Sequence, residues 1–163
     1  MNFIEIDGKR IELSAETVLN FKKQFGIKES KYADMDCEEY WFANNEGGVG
    51  HASVYNNMTV TNHNRISNNL AFTTEQYAQD YKERTNLMAK LQRFADENND
   101  VIDWEDEKQF KFYIFISYIT KELMTSWVSS NREMHTIYFS SQELSEAAIE
   151  KFKPELLKYF GVK

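Results

Sequence analysis

One cysteine and one proline stand in a chain of 163 residues. The single Cys37 cannot close an internal disulfide, which excludes a disulfide-stapled scaffold and agrees with a reducing compartment. No histidine lies close to it in the sequence, so a packing role is expected for it rather than a nucleophilic one. No apolar run approaches the roughly 18 to 20 residues that a membrane-spanning helix needs. The opening MNFIEIDGKRIEL alternates apolar and polar residues and lacks a basic start followed by an apolar core. A secretory signal is therefore not expected, and a cytoplasmic location is. Without a secretion route the glycosylation spelling Asn57-Met58-Thr59 carries no meaning. No contiguous stripe of Lys and Arg is present, which argues against ordinary nucleic-acid binding through phosphate neutralisation.

Catalytic signatures are missing as well. The chain contains no nucleophile elbow, P-loop, dinucleotide fingerprint or HExxH. Gly47-Gly48-Val49-Gly50 is followed by neither a lysine nor a helix start, so it reads as a hairpin tip. His51, His63 and His135, together with Cys37, lack the close paired spacing of structural zinc sites. No metal and no cofactor are expected. An enzyme would need a pocket that assembles His51, Glu46 and Tyr55.

What is present is a foldable interior. Hydrophobic residues make up 42% of the chain and aromatics 15%, enough for folding without a partner, and the length suits one compact domain or two small modules sharing a core. FIEIDGKRIEL reads as two short strands around Asp7-Gly8, the dipeptide of a type I′ hairpin. A helix capped by Ser14 follows, with Val18, Phe21 and Phe25 on one face and Gly26 as its stop. The same strand-to-helix spelling recurs at Phe72-Thr73-Thr74-Glu75-Gln76-Tyr77 and at Phe139-Ser140-Ser141-Gln142-Glu143-Leu144. There Thr73 with Gln76, and Ser140 with Glu143, form capping boxes, while Phe72 with Tyr77, and Phe139 with Leu144, form staples. The middle helix is expected over 74–98, with Tyr77, Tyr81, Met88, Leu91 and Ala95 inward. The last begins at Ser141, turns Leu144, Ala148 and Phe152 inward, and is ended or kinked by Pro154. These readings predict an α+β fold: an N-terminal ββα piece (1–36) followed by two sequential βββα units with antiparallel sheets (37–100 and 101–163), together forming one compact domain. The Asn-rich stretch 56–69 is expected to be a long solvated loop.

Charge is uneven along the chain. Residues 96 to 107 hold seven carboxylates, Asp96, Glu97, Asp100, Asp103, Glu105, Asp106 and Glu107, and no Lys or Arg, which equals the whole net charge of −7. A calcium loop would need oxygen ligands at alternate positions and a glycine, and the stretch has neither. On the structural reading, Asp103 caps a short helical turn that Trp104 and Phe110 anchor between the units. The functional reading is a dense anionic ridge that occupies a basic groove and excludes nucleic acid from it.

Tyr40-Trp41-Phe42, Phe72-Thr73-Thr74-Glu75, Ile102-Asp103-Trp104, Lys111-Phe112-Tyr113-Ile114 and Ile137-Tyr138-Phe139-Ser140-Ser141 span most of the chain. In this combination the sequence resembles small accessory proteins encoded by phages and prophages of Gram-positive bacteria. The resemblance implies binding rather than catalysis, with a host defence protein such as a CRISPR nuclease as partner. On that expectation Asp96, Glu97, Asp100, Asp103, Trp104, Glu105, Asp106 and Glu107 form the contact. The alternative expectation is a nucleic-acid-binding accessory protein that stacks bases on Tyr40, Trp41 and Trp127 and contacts phosphate through Arg65. The aromatic content also leaves room for a homodimer surface.

Overall fold

The computed structural model describes residues 3–6, 9–26, 30–33, 37–44, 47–53 and 59–162. The Asp7-Gly8 turn, Glu46, Tyr55 and the start of the Asn-rich stretch lie outside these residues. The fold is α+β, with helices and small antiparallel sheets. In chain order the elements are β1 (Phe3–Ile6), β2 (Lys9–Glu12), α1 (Ala15–Gln24), β3 (Glu39–Ala43), β4 (Val49–Ser53), α2 (Val60–Ser67), α3 (Glu75–Asn98), β5 (Lys111–Ser117), β6 (Glu122–Val128) and α4 (Gln142–Tyr159). The strands pair as β1–β2, β3–β4 and β5–β6. The chain divides into two compact units, one of Met1–Phe42 with Gly50–Tyr77 and the other of Ala43–Val49 with Ala78–Lys163. No helix among the described residues is long and apolar enough to cross a membrane.

In the first unit, Ala33, Tyr40, Ile66 and Ala71 form a small core, with Cys37, Phe42 and Ala52 packed against it. Phe72 exchanges both backbone bonds with Trp41, at 2.8 and 2.9 Å. On its other side, Ala33 N–H donates to Ala71 O at 2.9 Å and Thr73 N–H to Lys31 O at 3.1 Å. The β3–β4 turn is closed by Asn44, whose carboxamide oxygen accepts from Gly48 N–H at 2.7 Å. Gly50 passes so close beneath the Phe42 ring that a Cβ there would come within 2.4 Å of it. Helix α1 starts on Ser14, whose hydroxyl accepts from Thr17 N–H, and stops at Gly26 with φ +63°. Phe21 and Phe25 stack on each other at 4.5 Å and remain exposed.

Three expectations need correction. The Asn-rich stretch is not all loop, since α2 occupies Val60–Ser67. Thr59 caps it by accepting from Asn62 N–H at 3.2 Å, and Ile66 is buried. Helix α3 is capped by Thr74, which accepts from Tyr77 N–H at 3.3 Å, and not by Thr73, whose hydroxyl donates to Ser30 O at 3.1 Å. Likewise α4 is capped by Ser141, which accepts from Leu144 N–H at 3.3 Å, while the Ser140 hydroxyl accepts from Asp100 N–H at 3.0 Å. At both junctions the first hydroxyl ties down a distant segment and the second begins the helix. At each junction the cap stands one residue later than the capping box placed it.

The second unit is built around Leu87, Leu91 and Ala95 of α3, Phe139, and Ala148, Phe152 and Leu156 of α4. Phe112, Ile114 and Leu123 of the β5–β6 hairpin pack against this core. Tyr77 and Tyr81 are only half-buried, and Leu87, which the helical pattern did not single out, is 3% exposed. Pro154 kinks α4 without ending it; Phe152, two residues earlier, leaves helical geometry at φ −114° and ψ 15°.

Phe139 exchanges both backbone bonds with Phe112, at 2.8 and 2.9 Å, as Phe72 does with Trp41. On the other side of Phe139 a side chain replaces a strand. The Asn99 amide donates to Tyr138 O at 2.8 Å and its oxygen accepts from Ser140 N–H at 2.9 Å. Each expected third strand is thus a single bridging residue.

Candidate functional site

The acidic stretch begins in the last turn of α3 and continues through an irregular loop to β5. All seven carboxylates are exposed. The expected helical turn after Asp103 is replaced by two Asp-led turns. The Asp103 carboxylate accepts from Glu105 N–H at 2.9 Å, and that of Asp106 from Lys108 N–H at 2.9 Å. Gln109 closes the base of the loop, accepting from Asp103 N–H and donating to Val101 O.

What holds the loop is Lys111, which is fully buried. Its ammonium donates to Asp106 O at 2.7 Å and to Ser129 O at 2.7 Å, and it lies 5.6 Å from the centre of the Trp104 ring. The Asp106 carbonyl also accepts from Gln109 N–H at 3.2 Å, so it closes a turn and takes the lysine at once. A buried ammonium is tolerated where carbonyl oxygens replace its water shell. Because these partners are backbone carbonyls, the lysine neutralises no carboxylate. Among the described residues Glu97 alone of the seven acids forms an ion pair, with Arg93 at 2.8 Å.

Trp104 is half-buried and meets Tyr138 edge-on at 4.9 Å, and the Arg132 guanidinium stands 5.3 Å from its ring. Tyr138 continues to Tyr113 at 6.1 Å, and Tyr113 to Phe115 at 6.3 Å. Tyr113 and Phe115 alternate with Phe112 and Ile114 along β5, so they occupy the face of the hairpin turned away from α3 and α4. A run of rings therefore leads from the acidic loop across the face of β5–β6 opposite to α3 and α4. Phe110, which ends the loop, stacks on Trp127 at 4.3 Å. Both are exposed.

No comparison with known proteins gives a match, whether to a family, a curated protein or a solved structure.

The residues named for base stacking are not all open to a base. Tyr40 is fully buried, and its hydroxyl donates to Asn62 at 2.7 Å, which closes its ring to any base. Arg65 lies 3.5 Å over the Phe42 ring and within 3.4 Å of the Tyr40 hydroxyl. Trp41 is half-buried and packs on His51 at 4.5 Å, which in turn meets Glu39 at 3.3 Å. Of that set Trp127 alone is exposed, at 54%. Among the described residues no three His, Cys, Asp or Glu side chains are grouped to hold a metal ion. Sequence reasoning missed Lys111 and Asn99, the two side chains that place the acidic loop against the sheet. The one available signal was a lysine at the head of an apolar run.

Proposed function

We propose that this protein acts by binding, presenting the ridge from Asp96 to Glu107 and the edge of Trp104 to a basic groove on a protein partner. The observation that carries the reading is the use of the buried Lys111 ammonium on two backbone carbonyls. The acidic loop is held in place while its carboxylates are left to solvent, so their field is available to a cationic surface. The resemblance to phage and prophage accessory proteins extends the proposal: the partner is a host defence factor that handles nucleic acid, such as a CRISPR nuclease, met in the bacterial cytoplasm. On the same reading the scaffold is an N-terminal ββα piece followed by two βββα units over 37–100 and 101–163. The matching bridges Trp41–Phe72 and Phe112–Phe139, each followed by a hydroxyl pair and a helix, support that arrangement.

The test is capture of partners from phage-infected host lysate by the wild-type chain and by a variant carrying Asp103→Lys, Glu105→Lys and Asp106→Lys. The expected result is a basic, nucleic-acid-handling partner retained by the wild type and lost by the variant, with thermal stability nearly unchanged because the altered side chains are exposed. Equal capture by both chains would remove the ridge from the mechanism.

A further inference from the structure

Among the described residues, the ladder of β5–β6 leaves one edge open. The register is continuous from Lys111↔Val128 to Ser117↔Glu122, with Phe112 opposite Trp127, Ile114 opposite Thr125 and Ile116 opposite Leu123. Phe112 spends its N–H and C=O on Phe139, so those groups point away from β6. In an antiparallel ladder such pairs alternate. It follows that Leu123, Thr125 and Trp127 direct their own N–H and C=O groups outward from β6, where none is bonded to another described residue.

Edge strands are commonly protected by proline, by lysine, by a bulge or by brevity. Strand β6 has seven residues, ELMTSWV, without proline or lysine, and its only charge is Glu122 at the start. Its register shows no bulge. The acidic loop lies at its far end, because Lys111 joins Asp106 O to Ser129 O, the residue after β6, and Phe110 stacks on Trp127.

We infer that β6 receives an extended segment of the partner as an added antiparallel strand, whose basic residues continue onto the acidic loop. This rests on the binding reading above and deepens it. Backbone groups of Leu123, Thr125 and Trp127 supply the hydrogen bonds, the exposed Phe110–Trp127 pair takes an apolar side chain, and Asp103, Glu105, Asp106 and Glu107 take the cations. Antiparallel addition puts the N-terminal end of the segment beside Trp127, so the lysines or arginines precede the strand-forming residues.

The probe is a synthetic peptide of three lysines followed by alternating threonine and valine. Two controls accompany it, one N-methylated on the amides that face β6 and one with glutamates in place of the lysines. Affinity is measured by calorimetry, and exchange of the Leu123, Thr125 and Trp127 amides by NMR. The expected result is binding at least tenfold tighter than that of the N-methylated peptide, with those three amides protected. Equal affinity of the methylated peptide, or no protection, overturns strand addition and leaves the acidic-loop reading standing. Equal affinity of the glutamate peptide with protection retained overturns the acidic loop as the cation site and keeps strand addition. Protection before any peptide is added, with a dimer in sedimentation, gives the edge to a second copy and overturns the inference, as does failure of every peptide to bind.

Discussion

Single side chains decide how the second unit joins its pieces. Lys111 stands at the head of an otherwise apolar strand, where alternation suggests a surface lysine, yet it is fully buried with two carbonyl partners. Lys111→Met keeps the aliphatic stem but leaves Ser129 O without its donor and Asp106 O with the Gln109 N–H alone. An orphaned acceptor costs about 1 to 3 kcal/mol, so the expected loss is about 2 kcal/mol in denaturant unfolding. Faster amide exchange across 103–110 is expected with it. Unchanged exchange in that loop would show that Lys111 does not hold it. Asn99 substitutes one carboxamide for a neighbouring strand. Asn99→Ala removes both bonds beside Phe139 and is expected to cost about 2 kcal/mol. Neither role was legible in the sequence, because each depends on backbone atoms remote along the chain, Ser129 in one case and Tyr138 and Ser140 in the other.

At the level of elements, helices α3 and α4 were legible because their apolar residues repeat at helical spacing and a hydroxyl opens each. Their exact starts were not, because Thr73 and Ser140 are drawn to Ser30 and Asp100. Helix α2 was not legible either: Val60-Thr61-Asn62-His63-Asn64-Arg65-Ile66-Ser67 buries only Ile66 and Asn62, too little to show a period. The two long helices are also linked by charge. Lys90 pairs with Glu155 at 3.0 Å, and Lys158 pairs with Glu83. The Lys158 ammonium and the Gln79 amide hold the Glu83 carboxyl below the usual carboxylate range. Since folding lowers this pKa, the stabilisation is complete above the unfolded value of about 4.3 and is lost as the pH falls through the folded value. The effect is modest, because the pair is open to solvent and screened by salt. Glu83→Gln is expected to flatten the fall in stability below about pH 4.5, checked by denaturant unfolding of both chains at pH 7 and pH 3. Parallel acid profiles would show that the pair contributes nothing. The carboxyl of Glu143, in the first turn of α4, is also lowered, by its own backbone N–H and the Ser141 hydroxyl, as suits an acid at a helix N-terminus.

For the molecule as a whole, net charge of −7 arises from one short stretch, and that stretch is exposed. If the ridge provides the contact, its affinity is governed by long-range attraction. Raising salt from about 50 to 500 mM, which shortens the screening length severalfold, is then expected to weaken partner binding by tenfold or more, mainly by slowing association. Surface plasmon resonance at graded salt checks this, and affinity independent of salt would assign the contact to the strand edge and its aromatics alone. Composition and pattern by themselves determined the α+β class, the helices of the second unit, the strand-to-helix junctions and the concentration of carboxylates, because all of these follow from local spacing and local charge. Only tertiary structure decided that Tyr40 is sealed inside, that a lysine is buried under the acidic loop and that the outward backbone groups of β6 meet no partner among the described residues. Those outcomes depend on which backbone groups distant parts of the chain leave for one another, and no local pattern encodes that.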